Sequence, residues 1–334
     1  MNRPGERSDP EARWVVGASP AAQALEHDLA RLAASDVSVL LTGEIGSGKS
    51  AAARELHRRS ARSQAPLIET QLSALAPTLL EAELFGHVEG AFTGARAARI
   101  GRCERAAGGT LVLDGIETLA EALQVKLLRV LQEREFEPVG SSESRPFAAR
   151  VLATSTRDLE SEVRAGRFRA DLYYRLAVVT LVLPPLRERG ADLVLLTEAL
   201  LERIAARLGT PLRTLSAAAS ERLGRHAWPG NLRELENALE RVASLAGAAA
   251  SGPIAASEFD FLDEALQGEP ERFAREILAH GVPLAELERA LFTEALRAAR
   301  GNVAAAARAL GLSRRAFEWR QARFGSAPEN EGGA

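Results

Sequence analysis

Short uninterrupted apolar runs in this chain alternate with longer stretches in which apolar residues recur every three or four positions. Val39-Leu40-Leu41 and Leu111-Val112-Leu113 are runs of the first kind, and others follow at 149–155 and 178–183. Such runs, bounded by turn residues, read as strands buried on both faces, as in a parallel sheet. Residues 21–33, with Leu25, Leu29 and Leu32 on one face, read as an amphipathic helix. Strands are expected at 36–41, 67–69, 108–114, 149–155 and 178–183, the last closed by Pro184-Pro185. Helices are expected at 21–33, 50–62, 123–133 and 192–208, with another ending near Phe85-Gly86. Within 220–245, Pro229-Gly230 precedes an apolar-periodic run, which marks a turn followed by a helix start. The alternation predicts an α/β fold, a parallel sheet with helices on both faces.

The pattern changes near the end of the chain. Residues 247–283 mix alanines, Ser251-Gly252-Pro253 and a short acidic helix, and read as a linker. Residues 284–324 fit three helices, about 284–299, 303–310 and 314–323, with Gly311 between the last two as in a helix-turn-helix. Ala304 to Ala307 is small enough for close helix contact, and Ser313 is placed to be the N-cap of the third helix. This tail holds eight arginines (289, 297, 300, 308, 314, 315, 320, 323) against four glutamates (286, 288, 294, 318). A recognition helix offers its N-terminal residues to base edges and phosphates, so Ser313, Arg314, Arg315 and Arg320 are candidate contacts to double-stranded DNA. A basic bundle for protein contacts is the competing reading.

Composition adjusts the picture in a few places. At 334 residues the chain is too long for one ordinary domain. A net charge of −3 confines any nucleic-acid contact to a local patch. The single cysteine, Cys103, excludes an internal disulfide and fits a reducing cytosol, so a cytoplasmic location is expected. No apolar run reaches the ~18 residues of a membrane span, and the polar N-terminus lacks the apolar core of a signal peptide. Residues 1–13, rich in Pro, Gly and charge, and residues 325–334 are expected to be disordered.

Gly43-Glu44-Ile45-Gly46-Ser47-Gly48-Lys49-Ser50 follows the first strand and opens a helix, with the spacing of a phosphate-binding loop. Gly43, Gly46 and Gly48 let the backbone take positive φ and bring its N–H groups close to a phosphate. The helix start adds its positive dipole end. Lys49 is expected to reach the β- and γ-phosphates of ATP, and the Ser50 hydroxyl to ligate Mg²⁺. Lys49 and Lys126 are the only lysines in a chain that otherwise writes its positive charge as arginine, and a slim point charge suits a place beneath phosphates. Asp114, at the carboxyl end of a parallel strand beside this loop, is a candidate to hold Mg²⁺ through water.

Gly90-Ala91-Phe92-Thr93-Gly94-Ala95 sets a lone Phe between glycines and reads as an exposed, mobile loop presenting Phe92 and Thr93. A flexible hairpin tip is the plain alternative. The string resembles one found in the sigma-54-dependent transcription activators, bacterial enhancer-binding proteins of the AAA+ ATPase class. The resemblance extends to Gly108–Asp114, Leu127–Glu133, Gly166–Leu176 and Trp228–Asn237, and the tail is similar to the DNA-binding domain of the factor for inversion stimulation. It covers about 14–246 and 284–324, and implies an AAA+ core over 14–185 with a small helical lid over 186–246. It further implies a homo-oligomeric ring, a hexamer in the family, in which ATP hydrolysis drives the Gly90–Ala95 loop against the sigma-54 subunit of RNA polymerase. By position Arg169 and Arg175 would be arginine fingers, whose guanidinium groups stabilise charge on the transferring phosphoryl oxygens. Arg233 would sense the γ-phosphate, and Thr156 stands where the family has a sensor Asn.

Three positions depart from the family pattern. The residue after Asp114, a water-polarising Glu in the family, is Gly115; an Asn that restrains this Glu is Gln71; the sensor Asn is Thr156. Activating the nucleophile contributes roughly 10²–10⁴-fold, so hydrolysis is expected to be slowed, with Glu117 the nearest acid in sequence. The sequence supports nucleotide binding more strongly than hydrolysis. Three readings stay open: a working mechanoenzyme, an ATP-binding but hydrolysis-deficient DNA-binding regulator, and an AAA+ remodeller whose tail binds protein. With only about 13 residues ahead of the core, no N-terminal sensory domain is expected. Regulation is expected from a protein partner in trans, from expression level or from binding-site occupancy.

Overall fold

The computed structural model describes residues 17–246, 252–262, 274, 277–299 and 301–325. Of the disorder expected for 1–13 and 325–334, Gly325 instead ends a helix, and the rest lies outside the described residues. The chain divides into two units, one through Phe259 and one from Asp260.

The first unit runs α1 (Pro20–Ala33), β1 (Val39–Thr42), α2 (Lys49–Arg58), β2 (Leu67–Gln71), α3 (Pro77–Phe85), β3 (Gly86–His87), β4 (Arg99–Ile100), α4 (Arg102–Arg105), β5 (Thr110–Asp114) and α5 (Glu121–Glu133). It continues with β6 (Glu135–Phe136), β7 (Arg145–Pro146), β8 (Arg150–Ser155), α6 (Leu159–Arg164), α7 (Ala170–Leu176), β9 (Val179–Val182), α8 (Leu193–Leu208), α9 (Ala217–Arg225) and α10 (Asn231–Ala246). Five strands form one sheet in the order β2-β5-β8-β1-β9, every pair parallel.

Side chains alternate across the sheet, and both faces are covered. Val39, Leu41, Val112, Leu152 and Leu181 pack with Leu25, Leu29 and Leu56 of α1 and α2. Leu40, Leu111, Leu113, Val151 and Ala153 pack with Leu84, Leu127 and Leu172 of α3, α5 and α7. Burial on both faces is why the strands read as unbroken apolar runs. The strand order also fixes the site, because it sets the carboxyl ends of β1, β8 and β5 side by side. Thr42 lies opposite Ser155, and Asp114 opposite Thr154.

Some boundaries differ from the expectation. The first strand begins at Val39 rather than 36, since Asp36 is outside the sheet and paired with Arg62 at 2.8 Å. The helix after the loop ends at Arg58 rather than 62, where Ser60 Oγ donates to His57 O at 2.7 Å and turns the chain. The largest correction concerns the linker. Of its described residues, 252–259 pack with the lid: Ile254 bridges to Leu215, and Ile254 and Phe259 are buried.

The second unit contains three helices, Leu284–Ala298, Val303–Ala309 and Arg314–Gly325. Phe292 and Phe317, with ring centroids 4.5 Å apart, close over Ala306 and Ala307 to form its core. Asn302 caps the second helix by accepting from Ala305 N–H at 3.1 Å, and Ser313 caps the third by accepting from Ala316 N–H at 3.2 Å.

One buried polar cluster ties α1 to the start of the lid. Asp192 has no exposed surface, and its carboxylate accepts from the Ser19 backbone N–H and hydroxyl, both at 2.6 Å, and from Arg189 Nε at 3.2 Å. Burial pushes its carboxyl up, but these donors outweigh burial and hold it below the usual carboxylate range. Asp192→Ala leaves buried donors and the Arg189 charge unpaired, and is expected to cost about 3–5 kcal/mol. A carboxyl lowered on folding adds stability above its ordinary pKa and loses it as pH falls through the folded value. The melting temperatures of wild type and variant are therefore expected to differ at pH 7 and to converge in acid. Equal melting temperatures at pH 7 would refute the assignment.

Candidate nucleotide-binding site

The loop between β1 and α2 is shaped by its glycines. Gly43, Gly46 and Gly48 have φ of 149°, 73° and 101°. At Gly46 the requirement is also steric, because an added Cβ would lie 2.1 Å from Gly230 O. Lys49 is buried, and its Nζ donates to Gly43 O and Glu44 O, each at 2.7 Å. Burial pushes its ammonium below the usual range, while the charges of Asp114 and Glu117 act in the opposite direction. Ser47 Oγ is buried without a partner among the described residues, and Ser50 is half-buried in the first turn of α2. An ammonium, an unpartnered hydroxyl and a glycine-shaped backbone at a helix start fit a phosphate chain.

The lid closes on this loop through a set of contacts that the sequence did not signal. Asn231, buried at the start of α10, donates to Ile45 O at 2.9 Å and Glu44 Oε2 at 3.1 Å, and accepts from Leu186 N–H at 2.7 Å. Leu232 N–H donates to Gly46 O at 3.0 Å. Arg187 grips the Glu44 carboxylate with two bonds of 2.6 and 2.8 Å. Arg187 and Asn231 together bring the Glu44 carboxyl down to about 2. Arg233 is exposed on the same turn, its Cβ 3.1 Å from the point where a Cβ on Gly46 would stand.

At the carboxyl ends of β5 and β8, Asp114 accepts from the Thr154 hydroxyl, and Gly115 N–H donates to that hydroxyl's oxygen at 3.1 Å. Gly115 is left-handed (φ 78°, ψ 48°) and turns the chain into a short 3-10 turn, Ile116–Thr118. Glu117 on that turn accepts from the Thr156 backbone N–H at 3.0 Å and from the Thr156 hydroxyl. Thr156 is thus joined to Glu117. Gln71 is exposed, in register with Asp114, and makes no hydrogen bond to Glu117.

The two finger candidates stand apart from their own phosphate loop in hydrogen bonding. Arg169 precedes α7 and pairs with Asp171 at 2.7 Å, and Arg175 donates Nε and Nη2 to Leu131 O at 3.1 and 2.9 Å. The Gly90–Ala95 segment is a closed tip above the β3–β4 pair: Gly90 N–H donates to Ala95 O, and Ala95 N–H to Phe92 O, both at 2.9 Å. Gly90, Phe92, Thr93 and Gly94 are exposed, Ala91 is half-buried and Ala95 is buried. Phe92 is exposed, as expected, and its ring meets His87 edge-on at 5.0 Å. In the tail, Arg314 pairs with Glu318 at 2.8 Å and Arg320 lies 3.9 Å from Glu288, while Ser313, Arg314, Arg315 and Arg320 are all exposed.

Comparison with known proteins places this geometry. A family model described as the sigma-54 interaction domain matches residues 15–182. The chain belongs to the sigma-54 interaction domain family. An AAA+ ATPase lid domain matches 187–270, which agrees with the packing of 252–259, and the Fis family of bacterial regulatory proteins matches 283–319. The transcriptional regulatory protein ZraR of Klebsiella oxytoca is 45% identical over 90% of this chain and 67% of its own length. The response regulator protein PilR of Pseudomonas aeruginosa is 38% identical over 97% of this chain, and the chain spans 73% of it. The nitric oxide reductase transcription regulator NorR1 of Cupriavidus necator is 44% identical over 89% of this chain, which spans only 61% of its length. Among solved structures, NtrX from Brucella abortus in complex with ADP superposes with a TM-score of 0.69 at 29% identity, covering 93% of this chain and 69% of that one. The same protein in complex with ATP gives 0.67. No helix among the described residues is long and apolar enough to cross a membrane.

Gly46→Ala combines a left-handed φ with a clash against Gly230 O, a strain of order 1–3 kcal/mol. Binding of a fluorescent ATP analogue is expected to weaken about 5- to 150-fold. Unchanged affinity would show that the loop does not need this conformation to hold phosphates.

Proposed function

We propose that this family member is a sigma-54-dependent transcriptional regulator that binds ATP with Mg²⁺ between its sheet and its lid. The observation that carries the reading is the combination of a lid-clamped phosphate loop with an exposed Gly90–Ala95 tip. In this reading Gly43 to Ser50, Asp114, Thr156 and Arg233 surround the nucleotide, and Ser50 and Asp114 hold the metal. Mg²⁺ would neutralise charge on the phosphates. The ADP- and ATP-bound structures of NtrX support the choice of nucleotide.

Assembly into a ring, with six copies as the family resemblance implies, gives Arg169 and Arg175 their role. Each would reach the nucleotide of a neighbouring copy rather than its own. The Gly90–Ala95 tip would touch sigma-54 on RNA polymerase, and the tail would hold upstream DNA in the cytoplasm. Thr93→Ala removes an exposed hydroxyl from the tip and is expected to abolish activation of a sigma-54 promoter, leaving binding of the ATP analogue and of DNA intact. Full activation by this variant would remove the sigma-54 role of the tip.

Arg314→Ala with Arg315→Ala removes two exposed guanidiniums at the start of the third tail helix. DNA affinity is expected to fall, and the slope of log K against log salt to flatten by about two. Unchanged binding would place the DNA reader elsewhere. A second reading, ATP binding without hydrolysis, is favoured by Gly115, which offers no side chain at the position of the family's Glu. Steady-state ATP turnover at protein concentrations that permit assembly separates the two.

A further inference from the structure

We infer that Glu117 is the water-activating carboxylate of this chain, aimed by Thr156, so that the function held in the family by the residue after Asp114 has moved three positions along the chain from that aspartate. The inference rests on the reading of this site as an ATPase, and it selects the hydrolysing form of that reading.

Four observations converge on Glu117. Gly115 takes φ 78° and ψ 48°, a left-handed conformation that glycine adopts without strain, and leads into the tight turn Ile116–Thr118. The turn is closed by Thr118, whose backbone N–H and hydroxyl both donate to Gly115 O, at 3.0 and 2.8 Å. Next, Glu117 is not turned to solvent as a surface acid. One carboxylate oxygen accepts both donors of Thr156, at the end of β8. Third, the other oxygen, Oε2, is buried and has no partner among the described residues. A buried carboxylate oxygen without a donor is costly, and native structures keep such groups where something else supplies the partner. A water molecule held for attack is a donor of the required kind. Last, the charge of Glu117 reaches Lys49 together with that of Asp114, so it lies on the phosphate side of the strand ends.

The sheet order explains why this relocation works. β8 lies between β1 and β5, so a residue just past β8 faces the groups leaving both neighbours. Thr156 occupies that place, and Glu117, held by it, acts by its charge on Lys49. Thr154 completes the arrangement by holding Asp114 and Gly115 N–H through one hydroxyl. The two threonines divide the work: Thr154 fixes the acid that would face the metal, and Thr156 fixes the acid that would face the water.

The chemistry is an ordinary hydrolysis. Glu117 takes one proton from water as the water oxygen forms a bond to the γ-phosphorus of ATP. The bond from that phosphorus to the β,γ-bridging oxygen breaks, and its electron pair leaves with ADP. Glu117 then returns the proton to phosphate or solvent, so water and ATP give ADP, inorganic phosphate and one proton, with no oxidant or reductant involved.

The test uses the full chain and three readouts: ATP turnover, affinity for N-methylanthraniloyl-ATP, and the identity of the nucleotide recovered from the protein after incubation with ATP. Glu117→Gln keeps an oxygen that can accept from Thr156 but cannot take a proton. Its kcat is expected to fall about 10²–10⁴-fold, with analogue affinity within a few-fold of wild type and the recovered nucleotide shifted from ADP to ATP. Thr156→Val, which loses the hydroxyl, is expected to lower kcat by a larger factor than it weakens analogue binding, and Thr156→Ser, which restores the hydroxyl, to recover most of that loss in kcat. Wild-type turnover by Glu117→Gln overturns the inference, as does a Glu117→Gln chain that no longer binds the analogue, since that marks a structural role. A wild-type chain that binds the analogue but never releases phosphate also overturns it and leaves the nucleotide-binding regulator standing. A wild type that fails to bind the analogue removes the underlying reading itself. Gly115→Glu is not a useful rescue, because a side chain at φ 78° is strained wherever it points.

Discussion

The placement of β8 between β1 and β5 is the constraint on which the rest of this molecule depends. A parallel sheet gathers its strand ends at one edge, and ligands of open α/β sheets bind outside the carboxyl ends of the strands. Here that edge brings the phosphate loop from β1, Asp114 from β5 and the Thr154–Thr156 segment from β8 into one neighbourhood. The apolar runs that build the strands are buried by helices on both faces, so the sheet is a rigid floor. Functional groups carried just past its edge inherit that rigidity.

Against this floor the lid is fastened by polar contacts of unequal character. Asn231 is fully buried and satisfies Ile45 O, Glu44 and Leu186 N–H at once, so its loss would leave several buried groups unpaired. The Arg187–Glu44 pair is half exposed, and pairs of that kind contribute little to stability by themselves. Its value is geometric, since two parallel bonds hold the residue next to Gly43 in one orientation. Asn231 begins α10 and bonds Ile45 O and Glu44, so the phosphate loop and the lid helix are in direct contact.

Much of this was legible in the sequence because it depended on local pattern. The glycine spacing around Lys49, the five apolar runs and the three tail helices each follow from residues close together in the chain. What escaped depended on pairs distant in sequence. Arg187 to Glu44 spans 143 positions and Asn231 to Ile45 spans 186, and no periodicity marks either. The described part of the expected linker misled for a similar reason. Alanine, glycine and proline around Ile254 look like spacer, yet Ile254 is buried through a bridge to Leu215 that composition cannot show.

Gly115 shows how a residue can be identified correctly and still be misweighed. Read as a string, it is an acid deleted from the place where water is activated. Read as a conformation, it is a left-handed hinge in which a Glu side chain would be strained, and the next acid, two residues on, meets Thr156. Deletion alone would leave Asp114 and Glu44 as the carboxylates whose charge acts on Lys49, and the hinge adds Glu117 to them. Asp114 and Glu117, held side by side by threonines, suit a site in which one carboxylate answers to a metal and the other to a water. The hydroxyls that hold them, Thr154 and Thr156, both belong to β8 or its immediate exit, so metal and water would be aligned by the same strand.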